Sequence, residues 1–283
     1  MELTYINADG ITLTFKQSPP FFLSKVDGIG TIGNSIQSFK APNQDGSFFI
    51  GSTRDMRSIT IEGTIVAKNT DEAYTLRRKL LSLFTPKTPG TFIFRDRKIT
   101  CVVDDVKLIS SSKERLPRFL ISLLCPSPYF EALDPIIAEL ALWQPLFKFQ
   151  LIIPPEGIQM GARQPNQIIE VINAGDSPCG CKVTFNALGV VVNPELRNID
   201  SGEYIRVNRT MIAGEELHIH TSFAGKRVVS VVGGVETNIF SQLDTGSTFL
   251  QFETGTNVLR YDAEQGLDLL EVSLEYSALF AGI

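Results

Sequence analysis

From Ile168 onward the chain is cut by glycine into short apolar runs at a spacing of roughly 8–12 residues, and that punctuation limits the fold more than any other feature. The runs expected as strands are Ile168–Ile172, Cys181–Phe185, Gly189–Val192, Tyr204–Val207, Glu216–Thr221, Arg227–Val232, Thr248–Phe252, Asn257–Tyr261 and Leu270–Tyr276. Gly175, Gly202, Gly214, Gly233-Gly234, Gly246, Gly255 and Gly266 fall in the turns between them. No helical period crosses the region, which excludes a βαβ sheet and leaves a β-sandwich or barrel.

The first half reads differently. Leu3–Asn7 and Ile11–Phe15 flank Asp9-Gly10, a two-residue hairpin signal. Ser18-Pro19-Pro20 interrupts, and Phe21–Val26 is a short apolar run. Residues 27–47 are rich in Gly, Asn, Ser and Gln and are expected as a long loop. In Ser58–Ala67, Ile59, Ile61 and Ile65 share one face of a strand. One helix follows. Asn69 is its N-cap, with Glu72 three residues on, and Ala73, Leu76, Leu80 and Leu83 form one apolar stripe up to Pro86. Thr91–Arg95, Thr100–Val103 and Phe119–Leu124 are expected as further strands.

The 283 residues suffice for two domains, and 43% hydrophobic with 20% charged residues is a globular balance. Five prolines between 131 and 165 mark a connector. The expected division is a domain at 1–133, a Pro-rich linker at 134–166 and a second domain at 167–283. Charge supports it: 17 Lys and Arg stand against 13 Asp and Glu in 1–133, but 9 against 18 in 134–283. The basic excess of the first half is too small for a general nucleic-acid binder. Asp134, Pro135, Glu139, Pro145 and Lys148 interrupt the most apolar stretch, Ala132–Pro154, so a membrane span is not expected. Met1–Tyr5 has no basic n-region or apolar core, and the expectation is a soluble protein outside the signal-peptide route.

Candidate chemistry is sparse. Cys101, Cys125, Cys179 and Cys181 are too few for a disulfide framework and lack metal-ligand spacing, so buried thiols in a reducing compartment are expected. Gly28-Ile29-Gly30-Thr31-Ile32-Gly33 spells a dinucleotide fingerprint, but no helical stripe follows it, and a flexible loop is expected instead. His218 and His220 share one face of a strand, without a recognisable third ligand, and are expected on the outer face of a sheet. Arg77-Arg78-Lys79 is expected as a solvated or interface face of the helix. No nucleophile–base motif is present, so neither enzyme activity nor a cofactor or metal is expected.

Several stretches stand in a distinctive order. In the first half they are Pro42-Asn43-Gln44-Asp45-Gly46 leading through Arg54 and Arg57 into Ser58–Gly63, the helix Asp71–Phe84 before Pro86, and Cys125–Phe130. In the second half they are Val171–Asp176, Glu215–Thr221 and Gly255–Leu259. Together they resemble the distal tail protein (Dit) family of long-tailed phages, chiefly those of Gram-positive hosts. The resemblance implies a mainly β structural protein: a ring-forming N-terminal domain with one amphipathic helix, and a C-terminal galectin-like or carbohydrate-module-like β-sandwich. It implies a homo-hexameric ring at the virion tail tip, assembled in the host cytoplasm. Its partners would be the tail tube protein, a tail-associated hub protein and receptor-binding proteins or fibres, with DNA only in transit through the channel.

Head-to-tail ring closure needs two unlike patches per subunit. The segment 27–47 is expected to supply one, with Phe39, Phe48, Phe49, Arg54 and Arg57 as interface residues. The rival reading is a glycan-binding module. Most aromatics of the second domain, Phe185, Tyr204, Phe223, Phe240, Phe249, Phe252, Tyr261, Tyr276 and Phe280, are expected to point inward, which favours docking over sugar binding.

Overall fold

The computed structural model describes residues 2–30, 32–109, 116–140, 143–145, 161–163, 167–223 and 225–283, with the side chains of 143–145 and 161–163 excepted. The chain forms two compact units, Met1–Leu133 with Leu279–Ile283, and Asp134–Ala278. Two features differ from the expected division. Ile136–Glu139, inside the expected linker 134–166, is a strand of the second unit, and Leu279–Ile283, inside the expected domain 167–283, belongs to the first. The rest of that linker lies mostly outside the described residues.

The first unit contains β1 (Glu2–Ile6), β2 (Thr12–Lys16), β3 (Phe21–Asp27), β4 (Asn34–Phe39), β5 (Phe48–Arg54), β6 (Arg57–Ile65), α1 (Thr70–Leu83), β7 (Gly90–Phe94), β8 (Arg97–Ile109), β9 (Arg118–Cys125) and β10 (Phe130–Ala132). The pairings run β7-β1-β2-β3-β6-β9, and β8 pairs with both β9 and β7. The sheet therefore closes on itself as a seven-stranded barrel, which leaves none of those seven strands as a sheet edge. Its weakest seam is the parallel contact of β2 with β3, a single register pair at Lys16 and Phe22. β10 and a strand at Leu279–Phe280 (β26 in chain order) extend the sheet beyond β8.

Period-2 alternation fills the barrel. Leu3, Tyr5, Leu13, Phe15, Ile59, Ile61, Phe92, Phe119, Ile121 and Leu123 are buried and their neighbours are not. Each such side chain is worth about 2 kcal/mol of transfer free energy. α1, with Ala73, Leu80 and Leu83 buried, adds to this core at one end, where Tyr5 stacks on Phe84 at 4.3 Å between ring centres. The helix starts as the sequence predicts: the Glu72 N–H donates to Asn69 Oδ1 at 2.8 Å. Glu72 Oε2 in turn accepts from the Lys68 N–H at 2.7 Å.

The second unit begins with β11 (Ile136–Glu139), β12 (Trp143–Pro145) and β13 (Gly161–Arg163). It continues with β14 (Ile168–Asn173), β15 (Cys179–Ala187), β16 (Val191–Val192), β17 (Glu195–Asn198), β18 (Tyr204–Arg206), β19 (Thr210–Met211), β20 (Glu216–His220), β21 (Arg227–Val232), β22 (Val235–Asn238), β23 (Gln251–Phe252), β24 (Gly255–Asp262) and β25 (Leu270–Tyr276). Two antiparallel sheets dominate, β11-β25-β15-β20-β21-β22 with β23 beside β15, and β14-β24-β17-β18. Alternation is strict along β15, where every second residue from Cys179 to Ala187 is buried. The Tyr276 hydroxyl on β25 donates to the Ile172 carbonyl on β14 at 3.0 Å, joining one sheet to the other. The fold is mainly β, with one α-helix among the described residues, as the sequence predicts.

Candidate functional site

Residues 27–47 are not one continuous loop: Asn34–Phe39 within them is the strand β4, and 40–47 are the turn that follows it. β4 and β5 pair antiparallel from Asn34–Arg54 to Phe39–Phe48, with a bulge at Gln37/Ser38, and make a two-stranded arm. Its turn carries Asn43 and Gly46 in the left-handed region, which fits a tight reversal. Strand-forming Ile36, Phe39, Phe48, Phe49 and Ile50 explain the pairing, but none of them is buried. Phe39, Phe48 and Phe49 are 56%, 61% and 69% exposed. An isolated two-stranded ribbon is marginal in water, and clustered exposed apolar residues mark contact surfaces. The structure thus groups the three phenylalanines expected at an interface on one protruding element.

Arg54 ends the arm, exposed, with its guanidinium over the Tyr129 ring at 4.9 Å. Arg57, expected at the interface with it, is placed elsewhere: at 2% exposure it is buried at the arm's foot. Its Nε donates to the Pro128 carbonyl at 3.0 Å and its Nη1 to the Gly28 carbonyl and, at 2.8 Å, the Gly30 carbonyl. Its Nη2 donates to the Ala281 carbonyl at 2.5 Å, and the guanidinium lies over the Phe130 ring at 4.5 Å. All four acceptors are backbone carbonyls. Burial lowers the Arg57 pKa, but a guanidinium this basic stays charged.

The glycine motif takes its role from the same contacts. It follows β3 but precedes a strand rather than a helix, so it has no helix N-terminus for a pyrophosphate. Instead of a flexible loop, Gly28 and Gly30 are held by Arg57. Gly28 lies at φ +85, and a Cβ there would sit 2.0 Å from the Ser58 carbonyl oxygen, so only glycine fits.

In the second unit, His218 and His220 lie half-buried on one face of β20. His218 Nε2 meets Glu216 Oε2 at 2.9 Å. Burial, then Lys182, Arg227 and His218, lowers the His220 pKa, which favours neutral imidazole. Among the described residues no three His, Cys, Asp or Glu side chains are grouped to hold a metal. All four thiols are free and buried. A surface depression lined by Asn193, Glu195, Arg206, Asp262 and Glu264 is charged, but Arg206 pairs Glu264 at 3.0 Å and Arg260 pairs Asp262 at 3.2 Å.

The aromatic expectation needs correction. Phe223 is 78% exposed, Phe240 is exposed as well, and Phe280 belongs to the first unit. The Phe240 and Phe249 rings stack at 5.8 Å, and Lys226 Nζ lies 5.0 Å from the Phe249 ring and 5.8 Å from that of Phe223. Phe223 and Phe240 fall outside the alternating strands, and that position was the signal for exposure.

The first unit is thus a barrel with an apolar two-stranded arm, and the second unit stands in the chain between β10 and β26. Residues 8–125 match the family model for the phage tail protein RIFT-related domain, and residues 174–279 match that for the siphovirus-type tail component, C-terminal domain. The chain belongs to the siphophage distal tail protein (Dit) family. Among solved structures it is similar to phage SPP1 Dit (gp 19.1), described as a paradigm of the hub adsorption apparatus in phages infecting Gram-positive bacteria. That match has a TM-score of 0.71 at 11% identity, covering 98% of this chain and 99% of that one. It is also similar to a chain of the phage P2 baseplate in its activated conformation with Ca, at a TM-score of 0.51 and 11% identity, covering 97% of each. The P2 baseplate with Sr gives 0.51 at 10% identity, again covering 97% of each. No curated protein matches the sequence. The protein is a structural part of the virion tail and its baseplate. No described helix is long and apolar enough to cross a membrane.

Proposed function

We propose that six copies close head-to-tail into a ring at the tail tip, assembled in the host cytoplasm. The ring joins the tail tube protein to a tail-associated hub protein and to receptor-binding proteins or fibres, and DNA crosses its central channel. The protein acts as a scaffold and not as an enzyme. The observation that carries this reading is the arm. It presents Phe39, Phe48 and Phe49 to solvent on a ribbon with two open strand edges, and a second copy would both cover the apolar side chains and supply strand partners. Arg54, at the end of β5, is exposed as well. Negative-stain images of the purified protein should show a hollow ring, and light scattering a multimer. Replacing Phe39, Phe48 and Phe49 together with Ser should give a monomer with unchanged circular dichroism. A compact wild-type monomer would overturn the proposal.

The exposed Phe223 and Phe240, with the half-buried Phe249 stacked on Phe240 and Lys226 near the Phe223 and Phe249 rings, favour a second reading, in which the second unit binds host glycan, since sugar rings dock on aromatic faces. Titrating the full chain and its Phe240→Ala variant with host cell-wall polysaccharide separates the two. Saturable binding lost in the variant supports the glycan role, and the absence of binding supports docking to other tail proteins.

A further inference from the structure

The arm has two feet, and both are held at one buried point. The outgoing leg passes through Gly28, Ile29 and Gly30, and the returning leg ends just before Arg57. Arg57 takes the carbonyls of Gly28 and Gly30. The carbonyl between them, that of Ile29, accepts from the Ile283 N–H at 2.9 Å. Three consecutive carbonyls of one leg are therefore occupied by the other leg and by Leu279–Ile283, a segment that reaches the barrel only after the whole second unit. That segment is fixed three more times: β26 pairs with β10, the Arg97 guanidinium covers the Phe280 ring at 3.5 Å, and Arg57 holds the Ala281 carbonyl. A guanidinium offers its donors in a rigid plane, so the acceptors it serves are fixed relative to one another.

Resting on the reading of the arm as the self-association surface, we infer that Leu279–Ile283, through Arg57 and Ile29, positions the arm for that contact. Without the segment, one Arg57 donor and the Ile29 carbonyl lose their partners, and the outgoing leg is gripped from one side only. The arm then swings, and a surface that must meet its neighbour at a set angle meets it over a range of angles.

The test measures direction and assembly separately. Spin labels are placed at Ser47→Cys beside the arm's turn and Lys79→Cys on α1, both exposed, while the four native thiols are buried. Labelled chains are diluted into unlabelled protein, so that only distances within one chain are read. Two variants are compared with the parent, one lacking residues 279–283 and one carrying Gly282→Val. A Cβ at residue 282 would sit 3.0 Å from the Gly30 carbonyl oxygen, so the branched side chain pushes the segment off while keeping it in the chain. The expected result is a distance distribution at least twice as wide in both variants, with self-association weakened tenfold or more. Unchanged width overturns the inference, as does a widened distribution with undiminished self-association. If the distribution widens but the parent never self-associates, the positioning stands and the self-association reading falls.

Discussion

The Arg57 guanidinium donates to the carbonyl of Ala281, 224 positions further along the chain, at 2.5 Å. Lysine cannot replace it, because a single ammonium is a point donor and the four carbonyls surround a plane. Arg57→Lys should therefore lower the stability of the first unit by about 2–4 kcal/mol, the order expected when several charged hydrogen bonds are lost in a buried site. Arg57→Met should cost at least as much. Urea unfolding should show the loss in one transition, with that of the second unit unmoved.

Gly28→Ala and Gly46→Ala separate crowding from conformation. Both glycines lie at positive φ, +85 and +78. A Cβ at Gly46 meets nothing within 4 Å, whereas one at Gly28 runs into the Ser58 carbonyl. Gly46→Ala should cost about 1 kcal/mol, the conformational term alone. Gly28→Ala should cost more than about 2 kcal/mol, because the backbone must also move. Thermal melts of the two variants side by side check the difference.

Glu215 makes the second unit acid-sensitive. It is 1% exposed, and burial alone would raise its pKa. Hydrogen bonds from Ser230 Oγ at 2.5 Å, Arg209 Nε at 2.6 Å and the Ile212 N–H at 3.2 Å outweigh burial and hold it below the ordinary 4.5. A carboxyl whose pKa is lower folded than unfolded contributes its stability in full above the unfolded value, and loses it as pH falls through the folded one. The melting temperature of the second unit should hold from about pH 7 to about pH 5 and drop below about pH 4.5. Glu215→Gln should melt lower at neutral pH and flatten that acid limb.

The thiols should be silent. Burial raises the pKa of Cys179 to about 11 and that of Cys181 to about 12, and Cys101 is raised too, by its hydrogen bond with the Cys125 thiol and by burial. With all four thiols buried out of reach, the native protein should show no reaction with Ellman's reagent at about pH 8. All four cysteines should react once urea unfolds it.

What the sequence showed depended on whether a residue's role was local. The cap at Asn69 and Glu72, the Ile59–Ile61–Ile65 face and most strands of the second unit follow from neighbours within a few positions, and the structure has them. β22 was missed because Val235–Asn238 is exposed throughout and does not alternate. β4 was missed for the same reason, its polar residues reading as loop. The aromatic side chains of the arm were legible as an apolar group because they cluster in sequence. Arg57 was not legible as a buried residue, since its acceptors lie 27 to 224 positions away. The return of Leu279–Ile283 to the barrel left no local mark either, because nothing in that pentapeptide names its partner strand.

Because the second unit is inserted ahead of β26, the order of synthesis has a consequence for the arm's foot. All seven strands that close the barrel have left the ribosome once Cys125 has, so the barrel can form early. Arg57 then waits for its fourth acceptor until translation has passed the entire inserted unit. A truncated or stalled chain could carry a finished barrel with its arm loosely footed, and only a subunit translated through Ile283 would offer a fully set one.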